Sequence, residues 1–222
     1  MSEVEAIRER LAEVRARVDR AGGSDVTVVT VTKGHPVTAA QAAIEAGAID
    51  LGENYAQEFL SKLDEPALAA EELKWHFIGQ LQSNKVRKLA GSIALWHTLD
   101  RPSVIDEVAK RDPGAAVLIQ VDVAGEPGRG GCALVDTESL VGRAVDAGLR
   151  VRGLMAVGPN GAPELARPGF ARLRSMVDSM GLTVCSMGMT EDLEVAVGEG
   201  ATLVRVGTAI MGPRPGSAAR AQ

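Results

Sequence analysis

A chain of 222 residues suffices for one large domain, since barrels often exceed the usual span of about 100–200 residues per domain. Hydrophobic residues make up 45% and aromatics only 3%, which calls for a core of Val, Leu, Ile and Ala of the kind that fills a parallel sheet covered by helices. A net charge of −5 excludes a broad basic footprint for nucleic acid or an anionic membrane, while leaving room for a local phosphate site.

In chain order, residues 3–20 place Val4, Ile7, Leu11, Val14 and Val18 at alternating three- and four-residue steps, which predicts an amphipathic helix closed by Gly22 and Gly23. Residues 26–32 are β-branched throughout and stop at Lys33, Gly34, His35 and Pro36, a strand followed by a breaker. A helix over 38–46 follows, closed by Gly47. The unit then recurs, with apolar runs at 48–51, 75–78, 93–96, 116–123, 151–157, 183–185 and 202–206 separated by mostly helical segments. Eight such units imply parallel strands with helical crossovers, and they close most naturally into a single (β/α)8 TIM-type barrel preceded by an N-terminal helix. A doubly wound open sheet is the alternative.

The Gly- and Pro-rich stretches 125–131 and 158–163 follow strands five and six and read as loops on the barrel's C-terminal face, not as linkers. The expectation is one domain over 1–222, with the helical segment at 1–22 and a frayed, disordered tail at 213–222. The two cysteines, Cys132 and Cys185, have neither metal-ligand spacing nor the density of a disulfide scaffold, and no metal site is expected. No apolar run has the length of a signal sequence or a membrane span, so the cytoplasm is the expected compartment. A monomer is expected, because no apolar dimer face stands out beyond the N-terminal helix.

Lys33 carries the chemistry. Residues two apart on a strand share a face, so Val29, Val31 and Lys33 point together, and valines inside the barrel would bring the ammonium to its C-terminal mouth. Desolvation there lowers the pKa and exposes a nucleophilic amine able to form an imine with an aldehyde. The bland alternative is a lysine that snorkels from the strand end into solvent.

A phosphate site tips the balance. Ser186, Met187, Gly188, Met189 and Thr190 follow the seventh strand, and Arg205, Val206, Gly207 and Thr208 follow the eighth, where barrels commonly bind phosphate through loop amides and a short helix N-terminus. Ordinary βα turns at Gly188 and Gly207, with Thr208 as a cap, are the structural alternative. Arg205 shares a face with Leu203 and Gly207. It either pairs with Glu53 or Asp122, or faces a pyridine nitrogen and keeps it unprotonated, which weakens the ring as an electron sink and favours a cofactor holder over a carbanion enzyme. Asn54 is suited to a phenolate-like oxygen or to capping the helix that begins at Tyr55. His76 is open between a satisfied core residue and a proton-transfer group. The run from Gln80 to Lys85 can be a mere helix-entry surface.

Together, Val31–Thr32–Lys33, Gly52–Glu53–Asn54–Tyr55, the segment from Trp75 to Lys85, Gly153–Leu154–Met155–Ala156, Ser186–Met187–Gly188–Met189 and the segment from Val204 to Ile210 resemble the pyridoxal phosphate homeostasis protein family, over nearly the whole chain. The resemblance implies the barrel of the alanine racemase N-terminal domain without a second domain. It also implies bound pyridoxal 5'-phosphate (PLP). Lys33 looks like the Schiff-base lysine, Asn54 a neighbour of the ring and Arg205 the partner of the pyridine nitrogen, while Ser186, Met187, Gly207 and Thr208 belong to the phosphate side. Asp122 and Arg129 depart from the family, which tends to show Asn and Lys there, and an arginine cannot form a second imine.

Family members are regarded as carriers or regulators of vitamin B6, so the expected function is PLP binding in vitamin B6 homeostasis, with apo PLP-dependent enzymes as possible recipients and no firmly assigned catalytic residue. The length of the chain supports this, since a racemase of this fold draws a second base from an extra β-domain. The alternatives are a small PLP-dependent racemase or lyase, with Lys33 as base and His76 or Tyr55 assisting, and a cofactor-independent aldolase in which Lys33 attacks a sugar-phosphate carbonyl.

Overall fold

Eight short strands follow one another along the chain: β1 (Thr27–Val31), β2 (Asp50–Glu53), β3 (Lys74–Phe77), β4 (Leu95–Leu99), β5 (Ala116–Gln120), β6 (Arg150–Met155), β7 (Val184–Ser186) and β8 (Leu203–Val206). In this computed structural model, which describes residues 1–68, 72–126 and 130–215, each strand pairs in parallel with the next. Strand β8 returns to β1 through Val29 opposite Arg205, and the sheet closes. Parallel neighbours need crossovers. Helices α2 (Val37–Glu45), α3 (Ala56–Leu63), α4 (Ser83–Leu89), α5 (Pro102–Arg111), α6 (Thr137–Asp146), α7 (Arg167–Ser179) and α8 (Leu193–Gly198) supply them. The barrel expected from the alternating pattern is the fold observed, and the open sheet is excluded.

The helix expected at 3–20 is α1 (Glu3–Arg20). Ser2 Oγ accepts from the Glu5 backbone N–H while the Glu5 carboxylate accepts from the Ser2 N–H, a reciprocal cap that starts the helix sharply. Its buried stripe of Ile7, Leu11, Val14 and Val18 packs against α2, α8 and α9 (Thr208–Met211). Because α9 is a single turn, α1 takes the place that a full-length eighth helix would fill. The apolar face of the N-terminal helix is thus covered by its own barrel.

Alternation along the strands divides two cores. Leu51, Trp75, Phe77, Trp96, Val117, Ile119, Leu154, Cys185, Val204 and Val206 face the helices in one large cluster, whereas Val29, Leu95, Leu118, Met155 and Leu203 fill the barrel interior. Polar residues share that interior. Strand boundaries moved where apolarity was a poor guide: β2 begins at Asp50 instead of 48, and β4 runs on to Leu99 instead of stopping at Trp96. The extension of β4 adds the inward-facing His97, and Asp50, already inside the expected second run, also faces inward; a search for apolar runs passes over both.

The tail expected to fray from 213 is structured through Pro215, while 216–222 lie outside the described residues. Gly212 takes a φ of +80°, and the chain then brings Arg214 over Gly34, where an added Cβ would lie 2.9 Å from Arg214 Cδ. Among the described residues no helix is long and apolar enough to cross a membrane, and no cluster of side chains could hold a metal ion.

Candidate functional site

At the C-terminal ends of the strands, where barrels of this kind build their sites, a cavity of about 450 Å³ opens between the βα loops. That volume lies within the range of about 300–1,000 Å³ typical for small-molecule sites. Lys33, Asn54, Arg205, Gly207 and Thr208 all line it, so five of the seven residues expected at a cofactor converge on one space. Ile78, Met155 and Val157 supply apolar walls.

Lys33 follows β1 on the face of Val29 and Val31, as alternation requires. Burial lowers its pKa, and the positive charges of Arg214 and Arg205 lower it further, against the weaker opposing pull of Glu53 and Glu58. The loop that carries it is pinned from outside the barrel. Thr32 Oγ1 donates to Glu53 Oε1 at 2.6 Å, and the buried Lys62 ammonium donates both to the Thr32 carbonyl, at 2.8 Å, and to Glu53. Burial pushes the Glu53 carboxyl upward in pKa, opposed by Lys62 and by the hydrogen bonds it accepts. This pair joins the strand end before Lys33 to the strand end before Asn54.

Asn54 does not cap the following helix: α3 begins at Ala56 with no side-chain cap, and Asn54 Oδ1 is buried without a hydrogen-bond partner. An unpaired buried polar atom is costly, and at the edge of this cavity the oxygen is free to accept from a donor placed there. Its backbone is fixed by Gly79, where any Cβ would fall 1.9 Å from the Asn54 carbonyl oxygen.

Arg205 forms the floor. Contrary to one of the two expectations, it pairs with neither Glu53, which faces α3, nor Asp122, whose carboxylate accepts from the Ala124 and Gly125 N–H groups of its own loop. Its Nη1 donates to Ser186 Oγ at 2.6 Å and its Nη2 to the Ala156 carbonyl at 2.8 Å. Burial lowers its pKa to about 10, which leaves it charged at neutral pH.

Ser186 and Met187 are placed differently from expectation. Ser186 is fully buried beneath the floor with its hydroxyl between Arg205 and His97, and Met187 alternates outward, its sulfur 3.6 Å from Cys185 Sγ in the core beneath the helices. The Met187 and Met189 N–H groups are also engaged, by the Leu203 carbonyl and by Asp192 Oδ1 at 2.6 Å. Beside the cavity after β8, the Ile210 and Met211 N–H groups donate back to the Gly207 carbonyl, so the start of α9 offers the cavity the Thr208 and Ala209 N–H groups and the Thr208 hydroxyl.

His76 is a satisfied interior residue, bonded to Asp50 and His97. Tyr55 is exposed, Gln80 and Lys85 are exposed at the entry to α4, and Arg129 lies outside the described residues. Sequence reasoning missed Arg214, assigned to the tail, and His97, which alternates with Leu95 one residue beyond the expected end of its strand. That spacing was the available signal.

A barrel of parallel strands with an amine, an amide and a guanidinium converging at its C-terminal mouth defines a cofactor-binding barrel of the alanine racemase N-terminal class, and the family model for that domain matches residues 3–215. The chain is 41% identical to the pyridoxal phosphate homeostasis protein of Pseudomonas aeruginosa over 94% of its own length and 96% of the relative's, and 38% identical to that of Aquifex aeolicus over 93% and 97%. The chain belongs to the pyridoxal phosphate homeostasis protein family. Among solved structures it is similar to PipY of Synechococcus elongatus PCC7942 with PLP bound, at 30% identity and a TM-score of 0.81, covering 93% of this chain and 100% of that one. Alanine racemase from Streptomyces coelicolor shares the fold at a TM-score of 0.73 and 23% identity, over 93% of this chain but 58% of the racemase.

Proposed function

We propose that this chain binds pyridoxal 5'-phosphate in vitamin B6 homeostasis, holding it on Lys33 as a Schiff base and supplying or buffering it for apo PLP-dependent enzymes as a cytoplasmic monomer. The observation that carries the reading is the convergence of three unlike groups on one cavity: an amine with a depressed pKa, a buried amide oxygen without a partner, and a buried guanidinium. Membership of the family and the PLP-bound relative support the same ligand.

When bound, PLP supplies an aldehyde carbon reactive toward primary amines and a ring able to withdraw electrons. Lys33 presents the amine, and its desolvated position raises the neutral, nucleophilic fraction. Asn54 offers its unpaired oxygen to a hydroxyl on the ring. Gly207 and Thr208 offer backbone and hydroxyl donors to the phosphate. Arg205 donates only, so a ring nitrogen against it remains an acceptor and unprotonated. That arrangement suits holding the cofactor better than driving carbanion chemistry, and it favours a carrier over a racemase or lyase.

The test is a visible spectrum of the protein with PLP, followed by borohydride reduction and peptide mapping. The expected result is a single label on Lys33, absent in Lys33→Ala. A label on Lys62 or Lys85 overturns the assignment. Turnover of a panel of amino acids that disappears in Lys33→Ala overturns the carrier reading in favour of an enzyme.

A further inference from the structure

Beneath the cavity, five strands each send one polar side chain into the barrel interior. Asp50 comes from β2, His76 from β3, His97 from β4, Ser186 from β7 and Arg205 from β8. Neighbours in this series lie within hydrogen-bond distance: Arg205 Nη1 to Ser186 Oγ at 2.6 Å, Ser186 Oγ to His97 Nδ1 at 3.1 Å, His97 Nε2 to His76 Nδ1 at 2.9 Å, and His76 Nε2 to Asp50 Oδ1 at 3.0 Å. All but Asp50 are buried.

With both histidine rings neutral, donor and acceptor counting fixes the direction of every bond. A guanidinium only donates and a carboxylate only accepts, so the two ends are set. With neutral rings, His76 must carry its proton on Nε2 to donate to Asp50, which leaves Nδ1 as an acceptor. His97 then donates from Nε2 and accepts at Nδ1, and the Ser186 hydroxyl donates to His97 while accepting from Arg205. Each proton and lone pair along the path is matched. Burial, with His76 and Arg205 nearby, holds the His97 pKa well below its ordinary value, in keeping with a neutral ring.

The far end reaches solvent. Asp50 is 19% exposed and stands at the lip of a second cavity, of about 390 Å³, formed with Thr27, Val28 and Ile49 at the opposite end of the barrel. The chain thus runs through the barrel from the floor of one cavity to the rim of another.

We propose that Asp50, His76 and His97 are positioning residues for Arg205: with Ser186 they form a one-way hydrogen-bond chain that holds the guanidinium in the orientation in which it meets the cofactor ring, and that ties its charge to a carboxylate across the barrel. The inference rests on the PLP reading above. Hydrogen bonds in series polarise one another in a low-dielectric interior, so a change at Asp50 is felt at Arg205 although the two do not touch. The oriented dipoles stand in for the direct carboxylate partner that Arg205 does not use.

Two measurements test this. Nitrogen-15 NMR of the histidine side chains in cofactor-free protein is expected to show His76 and His97 both protonated on Nε2 alone, and a proton on Nδ1 of either ring overturns the chain. PLP titration is then followed by absorbance in wild type, Asp50→Asn, His97→Gln and the double variant. Asp50→Asn keeps an acceptor oxygen at a partly exposed site and removes only the charge, so it remains informative should His97→Gln not fold. Each single variant is expected to shift the absorbance of bound PLP and weaken its retention by about tenfold, the low end of what a hydrogen bond to a charged group contributes, with the double variant no worse than either single one. Unchanged spectra, or additive losses, overturn the coupling while the wild-type titration upholds PLP binding. A wild-type protein that takes up no PLP overturns the PLP reading itself, and the NMR result shows separately whether the chain exists.

Discussion

Arg205 reaches Ser186 across 2.6 Å at the base of the cavity, so the cation that lines the cavity is anchored by a hydroxyl, not by a carboxylate. A neutral anchor leaves the positive charge available to the cavity and orients it at the same time. Ser186→Ala would strand both Arg205 Nη1 and His97 Nδ1 in the interior. The expected cost is about 1–3 kcal/mol of folding stability, measured by urea denaturation, together with weaker PLP binding. Loss of binding without loss of stability would separate orientation from folding.

The depressed pKa of Lys33 has a definite sign in solution. Burial is its largest cause and Arg214 the next, so removing that neighbouring positive charge should raise it again. The rate of cofactor uptake, followed by stopped-flow absorbance across pH, is expected to rise with a midpoint below that of an ordinary lysine in wild type. In Arg214→Ala the midpoint is expected to move upward. An unchanged midpoint would remove Arg214 from the account.

The buried Lys62 and Glu53 pair predicts a non-additive stability cycle. Lys62→Met leaves a buried carboxyl group that already has one unpaired oxygen, Glu53 Oε2, and is expected to cost about 3–5 kcal/mol. Adding Glu53→Leu removes the stranded group and is expected to recover most of the loss. Thermal or urea unfolding of the two singles and the double measures it. Because the pair joins the loops of Lys33 and Asn54, the Lys62 single variant should also loosen PLP.

His97 makes stability sensitive to acid. Its protonated form is disfavoured in the folded protein, so below the ordinary imidazole value of about 6.5 the unfolded chain binds a proton that the folded chain does not. Stability is therefore full above that value and falls with decreasing pH, at up to about 1.4 kcal/mol per pH unit from this one group. In His97→Gln the slope between about pH 6.5 and 5 is expected to flatten, whatever the variant's absolute stability.

Much of this architecture was legible in the sequence because its causes are local. Period-two and period-3.6 patterns are written residue by residue, so the eight units, the amphipathic α1 and the inward face shared by Val29, Val31 and Lys33 could be read directly. The same alternation put Arg205 with Leu203 and Gly207. Alternation alone therefore puts Lys33 and Arg205 at the mouth of a barrel.

What alternation cannot say is which polar group a side chain meets once the barrel closes. Ser186 looked like a phosphate donor in a Gly-containing loop, yet closure set it under Arg205, because β7 lies beside β8. Arg214 seemed part of a loose tail until the turn at Gly212 laid it over Gly34. Asp50, His76 and His97 are each unremarkable in sequence, and only the curvature of β2, β3 and β4 brings their side chains into line. The sequence alone determined the barrel and the strand ends that bear its reactive groups, since these follow from propensity and periodicity. The tertiary structure decided the partners of those groups, since hydrogen bonds between strands distant in the chain depend on register and closure.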